Sequence, residues 1–158
     1  MIKRILILTL AAISFCGCVT TKIIDWVPVT FQIRVQDAQG HDLLDPANDN
    51  TWLAGTTIHF RGITVDLDET GITVPETRDY PVTYEGFRLE KGKDYYYLAF
   101  GQFEGATDYY EESFTIYWSD NTYNVITYDR RINSRKGGAE EAWKLDGVKC
   151  SSPIIIVK

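Results

Sequence analysis

The clearest pattern in the chain is strict alternation of apolar and polar side chains over residues 29–36. The apolar positions are 29, 31, 33 and 35, and polar residues lie between them. A period of two places the apolar set on one face of an extended chain, so this segment predicts a half-buried strand. Asp37 and Gly40 follow directly and supply turn chemistry. Alternation over 57–60 and 63–68 predicts two more strands.

Further apolar segments predict the rest of a β structure. Residues 95–103 are apolar on both faces and predict a central strand, and residues 154–157 predict a wholly apolar last strand. Shorter strands are predicted at 72–74 and 82–89, and polar residues predict a connection over 104–112. The only stretch near helical spacing is 138–145, which predicts at most about two helical turns.

Two hairpins follow from turn residues that tolerate positive φ. Asp120-Asn121 suits a two-residue turn, which would pair Trp118 with Tyr123 on one face. That register also pairs Ile116 with Val125, and Phe114 with Thr127. Asp146-Gly147 predicts a second hairpin, in which Leu145 faces Val148 and Trp143 faces Cys150.

These elements indicate an all-β fold: a single antiparallel β-sandwich of eight or nine strands with little helix. The string from Val35 through Asp37 and Gly40 to Leu43 resembles the first hairpin of transthyretin-like and Ig-like modules. This chain departs from that pattern by inserting residues 45–55 before the next strand.

The N-terminal segment has the character of an export signal. Lys3 and Arg4 precede the apolar run 5–15, which is too short to span a bilayer. Gly17-Cys18 then resembles the lipobox of bacterial lipoproteins. The resemblance implies cleavage before Cys18 and acyl chains on that residue, which anchor it to a membrane. The alternative is an ordinary secreted protein with incidental cysteines.

This interpretation divides the chain into a signal peptide at 1–17, a lipid-bearing tether at 18–28 and a β-sandwich domain at 29–158. Residue 19 is Val and not Asp, which by the same resemblance implies an outer-membrane lipoprotein. Only one acidic residue follows within seven positions of Cys18, so a periplasm-facing position is favoured over the cell surface.

The C-terminal half resembles small uncharacterised lipoproteins of Bacteroidetes. The segments that carry this likeness begin at Phe100, Thr115, Trp143 and Pro153. Those proteins often have Trp-Gly-Asp-Gly where this chain has Trp118-Ser-Asp-Asn. The resemblance implies location and fold and carries no established activity.

Charge restricts the classes of partner. The whole chain has a formal charge of −6, and removal of residues 1–17 leaves 14 basic and 22 acidic residues, a charge of −8. Nucleic acid is excluded as a partner because its binding needs clustered cations. One basic cluster stands out in the predicted loop 130–138, and it would contact an anionic partner or lie solvated; its members are Arg130, Arg131, Arg135 and Lys136.

Catalytic and metal motifs are absent from the sequence. His41 and His59 have no zinc-ligand spacing, and acidic runs near 45–50 and 66–69 do not match a calcium loop. Asp66 and Asp68 share one strand face but would lie on a convex surface rather than in a glycosidase cleft. No cofactor, metal or catalytic residue is therefore assigned, and Cys150 is expected to be a buried apolar thiol.

The sequence leaves three functions open, of which an envelope hydrolase is the least favoured. The first is a non-enzymatic, lipid-anchored envelope protein that acts through surface contacts with another envelope component. The alternative is a glycan-binding accessory of an outer-membrane uptake system, because 20 of the residues from 18 onward are aromatic. Tyr95 and Tyr97 are the aromatic residues that strand packing explains least, so they are the candidate sugar contacts.

Overall fold

The computed structural model describes residues 26–48, 52–68, 86–133 and 137–158. Cys18 and the predicted strand 72–74 lie outside these ranges. The described residues form ten strands: β1 Val29–Gln36, β2 Thr57–Phe60, β3 Ile63–Asp68, β4 Phe87–Lys91, β5 Tyr96–Phe103, β6 Tyr109–Tyr117, β7 Tyr123–Asn133, β8 Gly138–Leu145, β9 Val148–Cys150 and β10 Ile154–Val157. The predicted all-β class is confirmed. Nowhere in these ranges is there a helix long and apolar enough to cross a membrane.

The ten strands form one mixed sheet, in the order β10-β1-β5-β4-β3-β2-β6-β7-β8-β9. β1 pairs with β10 in parallel and β3 pairs with β4 in parallel, while the other neighbours are antiparallel. The two ends of this order, β9 and β10, are separated by only three residues along the chain. The sheet is therefore nearly closed on itself, and the predicted antiparallel sandwich of eight or nine strands needs correction on both strand number and pairing.

The core fills the space inside this curved sheet. The alternation of β1 places Phe31 inward, where its ring meets rings from three strands of the opposite side at centroid distances of 4.8–5.2 Å; these are Phe114, Tyr128 and Trp143. Edge-to-face pairs of this kind add stabilisation beyond the area that they bury. Leu44 and Leu53 from the loop between β1 and β2 are also buried, so the insertion at 45–55 contributes Leu53 to the core.

The two predicted hairpins have different outcomes. Leu145 pairs with Val148 and Trp143 with Cys150, as predicted, and Asp146 and Gly147 both have positive φ. The β6–β7 hairpin instead has a three-residue loop, because only Asn121 takes positive φ there and the Trp118 amide bonds to the Thr122 carbonyl.

This longer loop shifts the β6–β7 register by one residue from the prediction. Tyr117 now pairs with Tyr123, and Phe114 pairs with Ile126. Because side chains alternate across a strand, the shift moves Tyr123 from the predicted inner face to the outer face. Trp118 remains inside, with 3% of its surface exposed.

Two predicted connections and one segment with weak helical spacing contain strand residues. β6 already begins at Tyr109, within the predicted polar connection. β7 continues to Asn133 and β8 begins at Gly138, so most of the predicted basic loop belongs to a hairpin. The segment with weak helical spacing is strand β8, because pairing with β7 outweighs a weak local preference.

Candidate functional site

The predicted sugar contacts Tyr95 and Tyr97 lie together, Tyr95 immediately before β5 and Tyr97 within it, with ring centroids 6.3 Å apart. Both are half-buried. The Tyr97 hydroxyl donates a 2.6 Å hydrogen bond to Glu90, which lies directly opposite on β4. Burial and this carboxylate raise the pKa of Tyr97 to about 12. The Arg34 guanidinium lies over the Tyr95 ring, 4.7 Å from its centroid.

Two arginines and one carboxylate surround these rings. Arg88 Nε contacts Glu90 Oε1 at 2.5 Å, so Glu90 serves both Arg88 and Tyr97. Arg34 Nη2 lies 3.4 Å from the Gly40 carbonyl, and its buried Nε has no hydrogen-bond partner in the part of the chain described. The polar atoms here are mostly occupied within the fold, so Tyr95 and Tyr97 are less available for a ligand than expected.

Arg130 is not a surface contact residue, which corrects the predicted basic loop. It lies in β7 with only 6% of its surface exposed. Its Nη1 contacts Glu141 Oε1, and the buried Tyr128 hydroxyl donates a 2.8 Å hydrogen bond to the same oxygen. Its Nη2 donates to the Gly105 carbonyl at 2.8 Å. Arg130 is therefore part of an internal ionic network.

Arg131, the one other described residue of the predicted basic cluster, does not join Arg130. Arg131 also lies in β7, but it is exposed and pairs across the ladder with Glu140. Arg135 and Lys136 lie outside the described residues. Strand alternation separates Arg130 from Arg131, because neighbouring residues point to opposite faces of a sheet. This separation onto opposite faces is not visible in the sequence, because the run of charges resembles a solvated loop.

Among the described residues, the most exposed aromatic pair is one that the sequence did not single out. Tyr117 and Tyr123 are directly paired on the outer face of β6 and β7, with 43% and 61% of their surfaces exposed. Their centroids are 6.0 Å apart and their planes are tilted by 45°. Thr57 pairs with Tyr117 on the other side. We refer to Tyr117, Tyr123 and Thr57 as the tyrosine platform.

Polar groups continue the platform across the sheet. Asp66 on β3 pairs with Thr57, so four directly paired positions form a row across four strands. The next outward-facing row contains His59 and Thr115, which pair with each other. The hydroxyl and carboxylate groups of such a face can bond the hydroxyls of a ligand that packs on the rings.

Charged side chains farther along the same face form ion pairs. Arg61 lies in the turn between β2 and β3 and makes two 2.9 Å contacts with Glu112 on β6. Lys144 on β8 lies 3.7 Å from Asp129 and 4.0 Å from Glu111. These pairs engage Arg61 and Lys144, so this part of the face is poorly suited to a strongly anionic ligand.

The remaining residues with reactive or metal-binding side chains are the two histidines, Asp66 and Cys150. His41 Nδ1 lies 2.7 Å from Asp37 in the first turn, and hydrogen bonding to His41 lowers the pKa of that carboxyl. His59 and Asp66 lie on the exposed outer face. Cys150 is half-buried against the core, and burial raises the pKa of its thiol. Among the described residues, no group of three or more His, Cys, Asp or Glu side chains could hold a metal ion.

Comparison with known proteins adds no assignment. No protein-family model, curated protein or solved structure matches the chain.

Proposed function

We propose that this chain is a non-enzymatic, lipid-anchored protein of the cell envelope that acts through surface contacts, with the tyrosine platform as its contact surface. The exposed Tyr117–Tyr123 pair carries the proposal. Two adjacent exposed aromatic rings on the outer face of the sheet favour contact with another molecule, because their apolar area is otherwise left in water. Gly17-Cys18 supports the anchor.

A second candidate function is glycan binding as an accessory of an outer-membrane uptake system. The apolar C–H face of a sugar ring packs on an aromatic face, and its hydroxyls need hydrogen-bond partners. Tyr117 and Tyr123 supply the rings, while Thr57 and Asp66 supply oxygen atoms in the same row. The paired charges beyond them favour a polysaccharide over an anionic surface.

A glycan array with the intact purified protein tests this second function, followed by titration of any polysaccharide that binds. Tyr117→Ala and Tyr123→Ala should each weaken binding by roughly tenfold, since each removes about 1.4 kcal/mol of ring contact. Tyr110→Ala is the matched control, because Tyr110 is 71% exposed on β6 and lies outside the platform. Equal loss in all three variants would argue against the platform.

Salt dependence separates the two candidate contacts. Stacking on tyrosine rings should change little between 0.05 and 0.5 M salt, whereas contacts through exposed cations are screened. Replacing Arg131, Arg135 and Lys136 by Ser tests the basic surface, and Arg130 is left intact because it is buried. Salt-sensitive binding that depends on those three residues would favour an anionic envelope partner.

The anchor has its own test. Cys18→Ala should prevent incorporation of labelled palmitate and leave the protein unanchored or unprocessed, because the acylated thiol is removed. Cys16→Ala is the matched control, since it keeps Gly17-Cys18. Palmitate on the Cys18→Ala protein would contradict the lipobox interpretation.

A further inference from the structure

Two tryptophans and a lysine meet at the loop end of the β6–β7 hairpin. The rings of Trp52 and Trp118 are nearly perpendicular, at 86°, with centroids 6.2 Å apart. The Lys158 ammonium lies 4.9 Å from both centroids, within the range of a cation–π contact with each ring. It also donates a 2.5 Å hydrogen bond to Thr122 Oγ1. We refer to Trp52, Trp118 and Thr122 as the ammonium corner.

Neighbouring groups hold the ammonium corner in place. Trp118 Nε1 donates a 2.7 Å hydrogen bond to Asn124, whose amide donates to Asp146 at 2.6 Å. Asp120 Oδ1 accepts hydrogen bonds from both the Thr122 amide and the Thr122 hydroxyl. Because these partners fix the Trp118 ring and the Thr122 oxygen, the corner is organised by groups other than Lys158.

Two acidic side chains act on the charge of Lys158. Burial lowers the pKa of Lys158, and Asp120 and Asp146 oppose that shift because they attract a cation. Lys158 reaches the corner from the end of β10, where its amide bonds to the Gln36 carbonyl at 2.9 Å. Its side chain is therefore a tethered occupant of a site built by another part of the chain.

We propose that the ammonium corner is a binding site for a primary ammonium group, that Lys158 occupies it from within the chain, and that an amine ligand binds there in its place. Thr122 favours a primary over a quaternary ammonium, because only the primary group can donate the N–H that its oxygen accepts. The two aspartates disfavour amines that carry a phosphate. An amino sugar fits these requirements better than a phosphorylated head group. The ammonium corner and the tyrosine platform share no residue, so each proposal can be tested independently of the other.

The intact chain in a non-ionic detergent, titrated with methylammonium chloride, provides the test. Tryptophan fluorescence and the indole N–H resonances report on Trp52 and Trp118. Lys158→Ala should bind methylammonium roughly tenfold more tightly than the unaltered chain, because a tethered group competes at an effective concentration in the millimolar range. Lys149→Ala, which removes an exposed lysine from β9, is the matched control and should behave like the unaltered chain.

Ligand class is tested on the same variant. Tetramethylammonium should bind Lys158→Ala more weakly than methylammonium, and glucosamine should bind more tightly than phosphorylethanolamine. The reverse order in either pair would overturn the assigned ligand class. A Lys158→Ala protein that is folded but shows no saturable response, or that matches Lys149→Ala, would overturn the site.

A measurement on the unaltered chain covers the case in which Lys158→Ala fails to fold. The methylene protons of Lys158 should resonate upfield, because both indole rings lie close to them. Excess methylammonium should move these resonances toward their positions in an unfolded chain, as the ligand takes the corner. Resonances that stay in place at saturating amine would overturn the proposal.

Discussion

Replacing Arg130 by Ala should destabilise the fold far more than the same change at the adjacent Arg131. Arg130 is 6% exposed, whereas Arg131 is exposed on the opposite face of β7. The substitution removes the ion pair with Glu141 and the hydrogen bond to the Gly105 carbonyl. It also removes the cation–π contact with Trp26, whose ring centroid lies 5.6 Å from the guanidinium.

The expected change in unfolding free energy follows from the groups that lose Arg130 as a partner. Breaking a buried ion pair by removal of one partner costs about 3–5 kcal/mol. Glu141 keeps its hydrogen bond from Tyr128, and its side chain is 34% exposed, so the cost falls at the low end of that range. The Gly105 carbonyl loses the Arg130 donor, which adds to the cost. We therefore expect Arg130→Ala to lower the free energy of unfolding by about 3 kcal/mol, and Arg131→Ala by less than about 0.5 kcal/mol.

Urea unfolding followed by tryptophan fluorescence and by circular dichroism measures both variants. Fluorescence reports on the network because Tyr128 packs on Trp143 with ring centroids 4.4 Å apart. The double variant Arg130→Ala, Glu141→Gln should lose less unfolding free energy than the two single variants do in sum. The reason is that neither charge is left buried without its partner. Equal stability of Arg130→Ala and Arg131→Ala would refute the buried network, and would restore Arg130 as a surface contact.

Three further predictions follow from the described contacts. Trp118→Ala should lower the free energy of unfolding by about 3–5 kcal/mol because the ring is buried, and a loss below about 1 kcal/mol in denaturant unfolding would place it at the surface. Cys150 should react with a thiol reagent at pH 8 roughly tenfold more slowly in the folded than in the unfolded chain, since burial raises its pKa; equal rates would refute this. The pKa of Tyr97 is raised from 10.0 to about 12, so the stability it contributes should be fully present below pH 10 and lost as pH rises toward 12. Tyr97→Phe should remove that part of the pH dependence of unfolding, and an unchanged profile would contradict it.

Local patterns predicted the elements whose determinants are local. The alternation in β1 sets both its existence and its buried face, and Asp146-Gly147 sets the β8–β9 register. Both depend on neighbouring residues alone, namely period-two burial and a turn that requires positive φ. The parallel pairing of β1 with β10 joins distant segments, and nothing in either segment specifies the other.

The candidate site was harder to predict because one loop residue decides which rings are exposed. A two-residue turn would place Tyr123 beside Trp118 in the core, whereas the observed loop places it beside Tyr117 outside. Either Asp120 or Asn121 tolerates positive φ, so their identities do not select the loop length. Tyr95 and Tyr97 were singled out instead, since their partners Arg34 and Glu90 lie on other strands and are not visible from local sequence.

The pairing of β1 with β10 also has a consequence for how the chain folds as it is made. β1 is the first described strand to be synthesised, and one of its two neighbours is the last. Contacts between such distant segments form slowly, because a long loop must close before they are gained. Until residues 154–157 have emerged, β1 lacks its β10 partner and presents an open backbone edge on that side. A growing chain therefore remains exposed to wrong strand pairing at this edge until the four apolar residues of β10 have been made.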